Sequence, residues 1–172
     1  MEESEKNYRM IFESSPEAIF VLSTDGVLLD VNARACGELG YAREELVGLS
    51  ITEFPFLDEE GRRRAIEFYA KRLAGEKVAS YELTFVARTG HAQVGLVRGA
   101  LITDEQGIVT KDLLIVGDVT EQKKIADELT TRVAEIEKLN EFMLGREMRV
   151  IEVKKEVNEL CKRVGEPPRY KG

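Results

Sequence analysis

The sequence predicts an α+β fold, in which a five-stranded antiparallel sheet carries short helices on one face. A short helix precedes the sheet, and one long coiled-coil helix follows it. Three observations support this prediction: an Asp-Gly turn joins two apolar runs near the N-terminus, apolar spacing changes from helical to alternating near residue 80, and composition changes at residue 119. Antiparallel hairpins with helices between them favour a sheet that is covered on one face.

The change in composition divides the chain of 172 residues, whose formal net charge is -7, into predicted segments. Residues 1–118 hold 21 acidic and 13 basic residues and all but three of the Gly, whereas residues 119–172 hold 11 acidic and 12 basic residues. Such a shift is typical of a domain boundary. We therefore expect an N-terminal capping helix over residues 1–15, a globular domain over 16–119, a coiled-coil helix over 120–165 and a tail over 166–172.

The first elements are a helix and a hairpin. Residues 4–14 place apolar side chains on one side of a helix, which ends before Pro16 because the residue before a proline avoids helical geometry. Residues 18–22 and 27–31 are short apolar runs, and Asp25-Gly26 between them is a strong hairpin signal. The chain therefore begins with a helix followed by two paired strands.

Helices follow the hairpin, and strands follow the helices. Asn32 is a suitable N-cap for a short helix up to Leu39. A second short helix covers residues 42–46, and residues 59–74 repeat apolar side chains at three- and four-residue steps. Beyond residue 80 the apolar residues alternate, which is the period of a strand. Strands are therefore predicted over residues 81–87, 92–103 and 111–119.

Several sequence runs within about residues 8–123 fit one known pattern. They are Ser15-Pro16 to Asp25-Gly26, Val31-Asn32-Ala33, Leu39-Gly40-Tyr41 to Val47-Gly48, Arg88-Thr89-Gly90, and Gly117-Asp118-Val119-Thr120-Glu121-Gln122-Lys123. Together with the order of elements, they resemble a PAS domain, the common sensory module of signalling proteins. The resemblance implies a regulatory role and an output that is reached through the last of these runs.

The resemblance implies that the domain carries neither a flavin adduct nor a haem. Ile51 stands where flavin photoreceptors of the light–oxygen–voltage type carry their reactive Cys, and residues 59–74 lack the His of haem-binding relatives. His91 lies at a hairpin end, where an exposed polar residue is the ordinary expectation. We therefore predict no cofactor and leave open an unidentified small ligand. Cys36 is interpreted as a small buried hydrophobe, with a redox or thiol-ligand role as the alternative.

The candidate ligand site is a small apolar pocket between the sheet and the helices. Alternation and the resemblance together suggest its wall residues, which are Val21, Cys36, Leu46, Phe54, Tyr69, Phe85, Val97 and Ile115. The alternative is a fully packed core without a ligand, since many domains of this family act as signal relays or dimerisation units.

Composition and motifs exclude several classes of function. An acidic chain lacks the positive surface that binds nucleic acid. No apolar run approaches the roughly 18 residues of a membrane span, and the acidic start does not resemble a signal peptide. The spacing of Cys36, His91 and Cys161 suits no metal site, and no phosphate-loop, dinucleotide, metalloprotease or nucleophile-elbow motif occurs. We therefore predict a cytoplasmic chain that is not an enzyme and does not insert into the membrane.

The last segment repeats apolar residues every seven positions. Ten of the 13 a and d positions between Gln122 and Val164 are apolar, which predicts a coiled coil and hence a parallel homodimer. Arg132 and Arg146 at d positions, together with Gly145, weaken this seam. The predicted dimer seam consists of Ile125, Leu129, Ile136, Leu139, Met143, Val150, Val153, Val157 and Leu160.

Two hypotheses about function follow. In the first, a sensory module dimerises and relays a signal from its core pocket through Asp118-Val119-Thr120 to the coiled coil, in a pathway of the two-component type. Residues 145–170 also resemble a segment that follows the last sensory domain in bacterial and archaeal signalling proteins. The chain carries no phosphoacceptor His and no diguanylate cyclase motif, so a kinase or cyclase output would lie outside it. In the second hypothesis, the chain is a structural dimerisation adaptor with a packed core.

Overall fold

A computed structural model describes residues 2–170. Met1, Lys171 and Gly172, which belong to the predicted segments 1–15 and 166–172, lie outside the described residues. The elements are α1 (Glu2–Ser14), β1 (Ala18–Ser23), β2 (Leu28–Val31), α2 (Ala33–Leu39), α3 (Arg43–Leu46), a 3-10 turn (Ile51–Glu53), α4 (Glu59–Leu73), β3 (Tyr81–Val86), β4 (Ala92–Thr103), β5 (Val109–Asp118) and α5 (Thr120–Arg163). The predicted α+β class and its five strands are confirmed.

The sheet has the order β2-β1-β5-β4-β3, and the neighbouring strands are antiparallel. The last strand, β5, therefore lies in the middle of the sheet, between β1 and β4. Phe20 of β1 pairs with Leu114 of β5, and Val97 of β4 pairs with Val116. Because β5 is central and is followed directly by α5, a movement of the central strands takes place close to the start of that helix.

Side-chain caps fix the helix starts. Asn32 accepts the backbone N–H of Ala35 at 3.0 Å and so caps α2, as its position predicts. Asp58 accepts the N–H of Gly61 at 2.7 Å and caps α4. Asn32 also donates to the carbonyls of Phe12 and Glu17. This one buried side chain therefore ties α1 and the start of β1 to α2.

The core lies between one face of the sheet and the helices α2, α3 and α4. The inward positions of β3 are Tyr81, Leu83 and Phe85, which alternate with Glu82, Thr84 and Val86 as the sequence pattern predicts. The predicted strand 27–31 begins one residue later, because Val27 forms an isolated bridge with Ser50 outside the hairpin ladder. The predicted strand 111–119 extends over Val109–Asp118 instead, because its first residues pair with the end of β4.

The structure divides into two units, one ending at Lys123 and the other beginning at Lys124. In the second unit, α5 continues through Gly145 without a break. The helix ends at Arg163, and Gly165 shortly after it adopts a left-handed conformation. The backbone N–H of Tyr170 then donates to Asn158 Oδ1, and its carbonyl accepts from Asn158 Nδ2. Over the described residues, no helix combines the length and apolar character that crossing a membrane requires.

Candidate functional site

An apolar cavity of about 30 Å³ lies in the core between the sheet, the 3-10 turn and α4. Aromatic rings dominate it: Phe56 lies 5.8 Å from Phe20, 5.0 Å from Phe54 and 6.1 Å from Phe85, measured between ring centroids. The lining consists of Phe20, Ile51, Phe54, Phe56, Leu57, Ala65, Tyr81, Leu83, Phe85, Val97, Leu114 and Val116. A cavity of this composition favours small, neutral, apolar molecules over water, which needs polar partners.

The structure brings only part of the predicted pocket wall together. Phe54, Phe85 and Val97 line the cavity. Leu46 and Tyr69 belong to the core but lie away from the lining, and Cys36 is half-buried against the core from α2. That these side chains contact a ligand stays a prediction.

Two of the predicted wall residues, Val21 and Ile115, require a correction. Val21 lies between the inward residues Phe20 and Leu22 of β1, and it pairs with Leu113 on the other face of the sheet. Ile115 is likewise out of phase, because the inward residues of β5 are those at even positions, such as Leu114. Both strands are apolar on each face here, so sequence alternation did not reveal their phase.

A buried ion pair lies beside the cavity and was missed by the sequence reasoning. Arg72 of α4 binds Asp112 of β5 through Nε at 3.0 Å and Nη2 at 2.6 Å, and Nη1 lies 3.4 Å from the hydroxyl of Tyr81. Gly99 makes room for it, since a Cβ there would lie 2.5 Å from Arg72 Nε. Burial raises the pKa of the Asp112 carboxyl, and the guanidinium opposes that rise. The sequence signal that could have revealed the ion pair is Asp112, a charged residue that alternation places on the same face of β5 as the apolar residues Leu114 and Val116.

The thiol of Cys36 has the environment of a small hydrophobe. Burial raises its pKa, which lowers the fraction of reactive thiolate, although Arg43 nearby acts in the opposite direction. Across residues 2–170, no group of three or more His, Cys, Asp or Glu side chains is placed to hold a metal ion. The structure therefore offers a reason for the inert interpretation of Cys36.

Hydrogen bonds join the end of the sheet to the first turn of α5, and we call this group of Val94, Asp118, Val119 and Thr120 the latch. Asp118 Oδ1 accepts both the backbone N–H of Thr120 at 2.8 Å and its hydroxyl at 2.5 Å. The hydroxyl oxygen of Thr120 accepts the N–H of Val94 at 2.8 Å, and the Val94 carbonyl accepts the N–H of Val119 at 2.9 Å. The Thr120 hydrogen bonds lower the pKa of Asp118, so the carboxylate form is favoured.

The first turn of α5 has a second attachment to the sheet. Lys123 Nζ lies 2.6 Å from a carboxylate oxygen of Glu82 on β3. The first turn thus contacts both β4, through Val94, and the edge strand β3. Movement of either strand would change the environment of Thr120 or Lys123.

The predicted seam residues form an apolar stripe along α5. Apart from Val157, which is half-buried, they are exposed within the chain, and Leu129 and Leu139 each retain 61% of their accessible surface. An isolated helix cannot bury such a stripe. The exposed stripe is therefore the surface on which the predicted dimer depends, and the dimer itself stays a prediction.

Comparison with known proteins gives a consistent result. Residues 12–124 match the family model described as "PAS fold". The chain is 31% identical to the PAS domain of an HTR-like protein from Haloarcula marismortui, with a TM-score of 0.52 and coverage of 68% of this chain and 93% of that one. It is 26% identical to a domain of a sensory box sensor histidine kinase/response regulator from Geobacter sulfurreducens, with a TM-score of 0.54 and coverage of 67% and 94%.

One curated protein is similar over a longer stretch. The probable diguanylate cyclase DgcE of Escherichia coli (strain K12) is 27% identical over 123 residues, which are 71% of this chain. The chain spans only 11% of the length of that relative. The similarity therefore concerns a small part of the larger protein.

Proposed function

Because the chain belongs to the PAS-fold family, whose domains are sensory and regulatory parts of signalling proteins, we propose that it is a relay module. The module dimerises through α5 and passes a change in its core through Asp118-Val119-Thr120 to that helix. It works in the cytoplasm, in a pathway of the two-component type.

The latch is the observation that carries this proposal. Thr120 is the first residue of α5, and its hydroxyl is bonded both to Asp118 of β5 and to the backbone of β4. A rotation of the helix about its axis would have to break at least one of these bonds. Two conformations of the sheet would therefore favour two positions of the helix start, and a ligand drives the change only by its differential affinity for the two.

The cavity suggests which signals the module can receive. Its lining offers aromatic and aliphatic surface from Phe20, Phe54, Phe56 and Phe85. At about 30 Å³, it would have to expand before it could hold a flavin or haem. We therefore propose a small, neutral, apolar ligand and no resident cofactor.

The proposed dimer is a parallel coiled coil. Parallel association brings a and d residues of the two copies into one seam, which buries side chains such as Leu129, Ile136 and Leu139. Arg132 and Arg146 interrupt the seam at d positions, and Gly145 weakens the helix beside it; local weak points suit a helix pair that changes its packing. The output is a separate domain or partner protein, and the relatives' names point to histidine kinase or diguanylate cyclase outputs.

The small volume of the cavity favours one second candidate, a structural dimerisation adaptor with a packed core. Native mass spectrometry of the purified chain separates the two candidates. A retained small molecule supports the sensory module, whereas an empty core that binds no apolar probe supports the adaptor.

Cysteine cross-linking tests the relay. In a background with Cys36→Ser and Cys161→Ser, Ile136→Cys reports whether the two copies meet at an a position. We expect rapid disulfide formation, and a rate changed severalfold when Asp118→Ala and Thr120→Ala remove the latch side chains. Ala134→Cys on the outer side of the proposed coil is the matched control and should cross-link slowly. Equal cross-linking rates at Ile136→Cys with and without the latch side chains would contradict the proposed relay.

A further inference from the structure

A glycine in β4 lies between the core cavity and the latch. Gly95 is buried, and a Cβ added to it would lie 2.6 Å from Phe85 Cε2 and 2.6 Å from Val116 Cγ1. Real Cβ atoms do not approach other atoms that closely. The ring of Phe85 therefore rests directly on the backbone of β4, and only glycine permits this contact.

The same contact separates two cavities. Phe85, Phe20 and Val116 line the core cavity, and they also line a second cavity of about 20 Å³. The second cavity extends from these side chains to Gly95 and Asp118. The Phe85 ring therefore lies between the core cavity on one side and the second cavity, which Asp118 lines, on the other.

Strand pairing connects Gly95 to the latch over a short distance. Gly95 pairs with Asp118 across the β4–β5 ladder, and the preceding residue, Val94, exchanges hydrogen bonds with Val119 and Thr120. A shift of β4 at Gly95 would move the Val94 N–H and C=O groups. Because hydrogen bonds weaken steeply with poor alignment, such a shift would loosen the helix start.

We propose that Gly95 is the coupling residue of the relay: displacement of Phe85 from the cavity side bears on Gly95 and through it loosens the latch. The inference rests on the proposed function and adds a specific residue to it. Gly95 acts through Val94 and Asp118 and is thus a positioning residue. The Phe85 ring and the backbone of β4 are in direct contact at Gly95, so a displacement of the ring toward β4 has no gap at that point to absorb it.

Hydrogen exchange of the full chain, followed by NMR, tests the proposal without a known ligand. The amides of Val94 and Val119 report the latch, and the amides of residues 99–102 in the far half of β4 report general stability. In Gly95→Ala, exchange at the two latch amides should accelerate at least about tenfold relative to the far-half amides, because overpacking strains the contact locally.

Gly117→Ala is the matched control. Gly117 is the β5 residue next to Asp118, but the one atom that a Cβ there would approach closely is the flexible carboxylate oxygen of Glu17, at 2.7 Å, while Arg98 Nη2 lies at an ordinary contact distance of 3.7 Å. This variant should leave the ratio of the exchange rates, latch amides over far-half amides, at its wild-type value. The double variant Gly95→Ala/Phe85→Leu removes the ring, which is one of the two groups that the new methyl group strikes, and should bring the ratio at least about threefold closer to its wild-type value through coupling of the two sites. Val116 Cγ1, the other group, accounts for the remaining change.

Phe85→Trp keeps the proposal testable even if Gly95→Ala does not fold. It enlarges the ring on the cavity side while Gly95 is intact, and should also accelerate exchange at Val94 and Val119. Uniform acceleration across the sheet, an unchanged ratio in a folded variant, or a failure of Phe85→Leu to rescue would overturn the inference. None of these results bears on dimerisation or on the Asp118/Thr120 cross-linking test, so the two proposals fail separately.

Discussion

The stability of the sheet-containing unit should depend strongly on keeping both partners of the ion pair between Arg72 and Asp112 or neither. The two side chains retain 5% and 0% of their accessible surface. Three contacts shorter than 3.2 Å join the guanidinium to the carboxylate. Removing one partner leaves the other buried without its counter-charge, which costs about 3–5 kcal/mol.

Arg72→Met keeps most of the side-chain volume and removes the charge. We expect unfolding free energy to fall by about 4 kcal/mol, which at an m-value of about 2 kcal/mol/M lowers the urea midpoint by about 2 M. Asp112→Leu should cost a similar amount. The double variant Arg72→Met/Asp112→Leu should recover most of the loss, because a well-packed apolar pair replaces a buried ion pair at little net cost.

The assay is urea unfolding followed by circular dichroism, at one protein concentration because dimerisation couples to stability. Arg63→Met is the matched control, since Arg63 pairs with Glu60 on an exposed face of the same helix and should cost less than about 1 kcal/mol. A loss of less than about 1 kcal/mol in Arg72→Met, or a double variant whose loss equals the sum of the two single losses, would show that the two side chains are not a coupled buried pair.

Three further predictions follow from particular contacts. Asn32→Ala leaves the N–H groups of Ile19 and Ala35 and two carbonyls without their partner, and should cost about 3 kcal/mol in urea unfolding; a loss below about 1 kcal/mol would contradict the described bonding. The lowered pKa of Asp118 means that its contribution is fully present above its ordinary pKa and is lost as pH falls below about 4. The protection factor of the Thr120 amide, which compares its exchange rate with that of an unstructured chain at the same pH, should therefore fall there in wild type and be independent of that titration in Asp118→Asn. Leu139→Glu should give a monomer by light scattering at micromolar concentration, while Ala134→Glu stays dimeric; equal masses for the two variants would count against the proposed seam.

Local sequence signals were sufficient for the order of elements. The Asp25-Gly26 turn, the Asn32 cap and the alternation from Tyr81 to Phe85 each depend on neighbouring residues, and the structure confirms the elements they predict. Element ends differed by one or two residues, because the pairing partner decides where a strand ends.

Contacts between distant residues were not predictable in the same way. Leu113, Leu114, Ile115 and Val116 are all apolar, so alternation could not show which of them face the core. The pairing of Arg72 with Asp112 joins residues 40 positions apart. Asp118 and Thr120 were recognised from their local motif, but the role of Val94 became visible only once β4 and β5 were paired.

If the latch sets the packing of α5 in a dimer, the distance between the α5 helices of two copies must depend on the latch side chains. Spin labels at Ala134→Cys, in a background with Cys36→Ser and Cys161→Ser, report the separation of the two helices by pulsed electron paramagnetic resonance. We expect one narrow distance distribution for the intact latch, and a shifted or broadened distribution when Asp118→Ala and Thr120→Ala are added. An absence of dipolar coupling, or identical distributions with and without the latch side chains, would contradict this role of the latch.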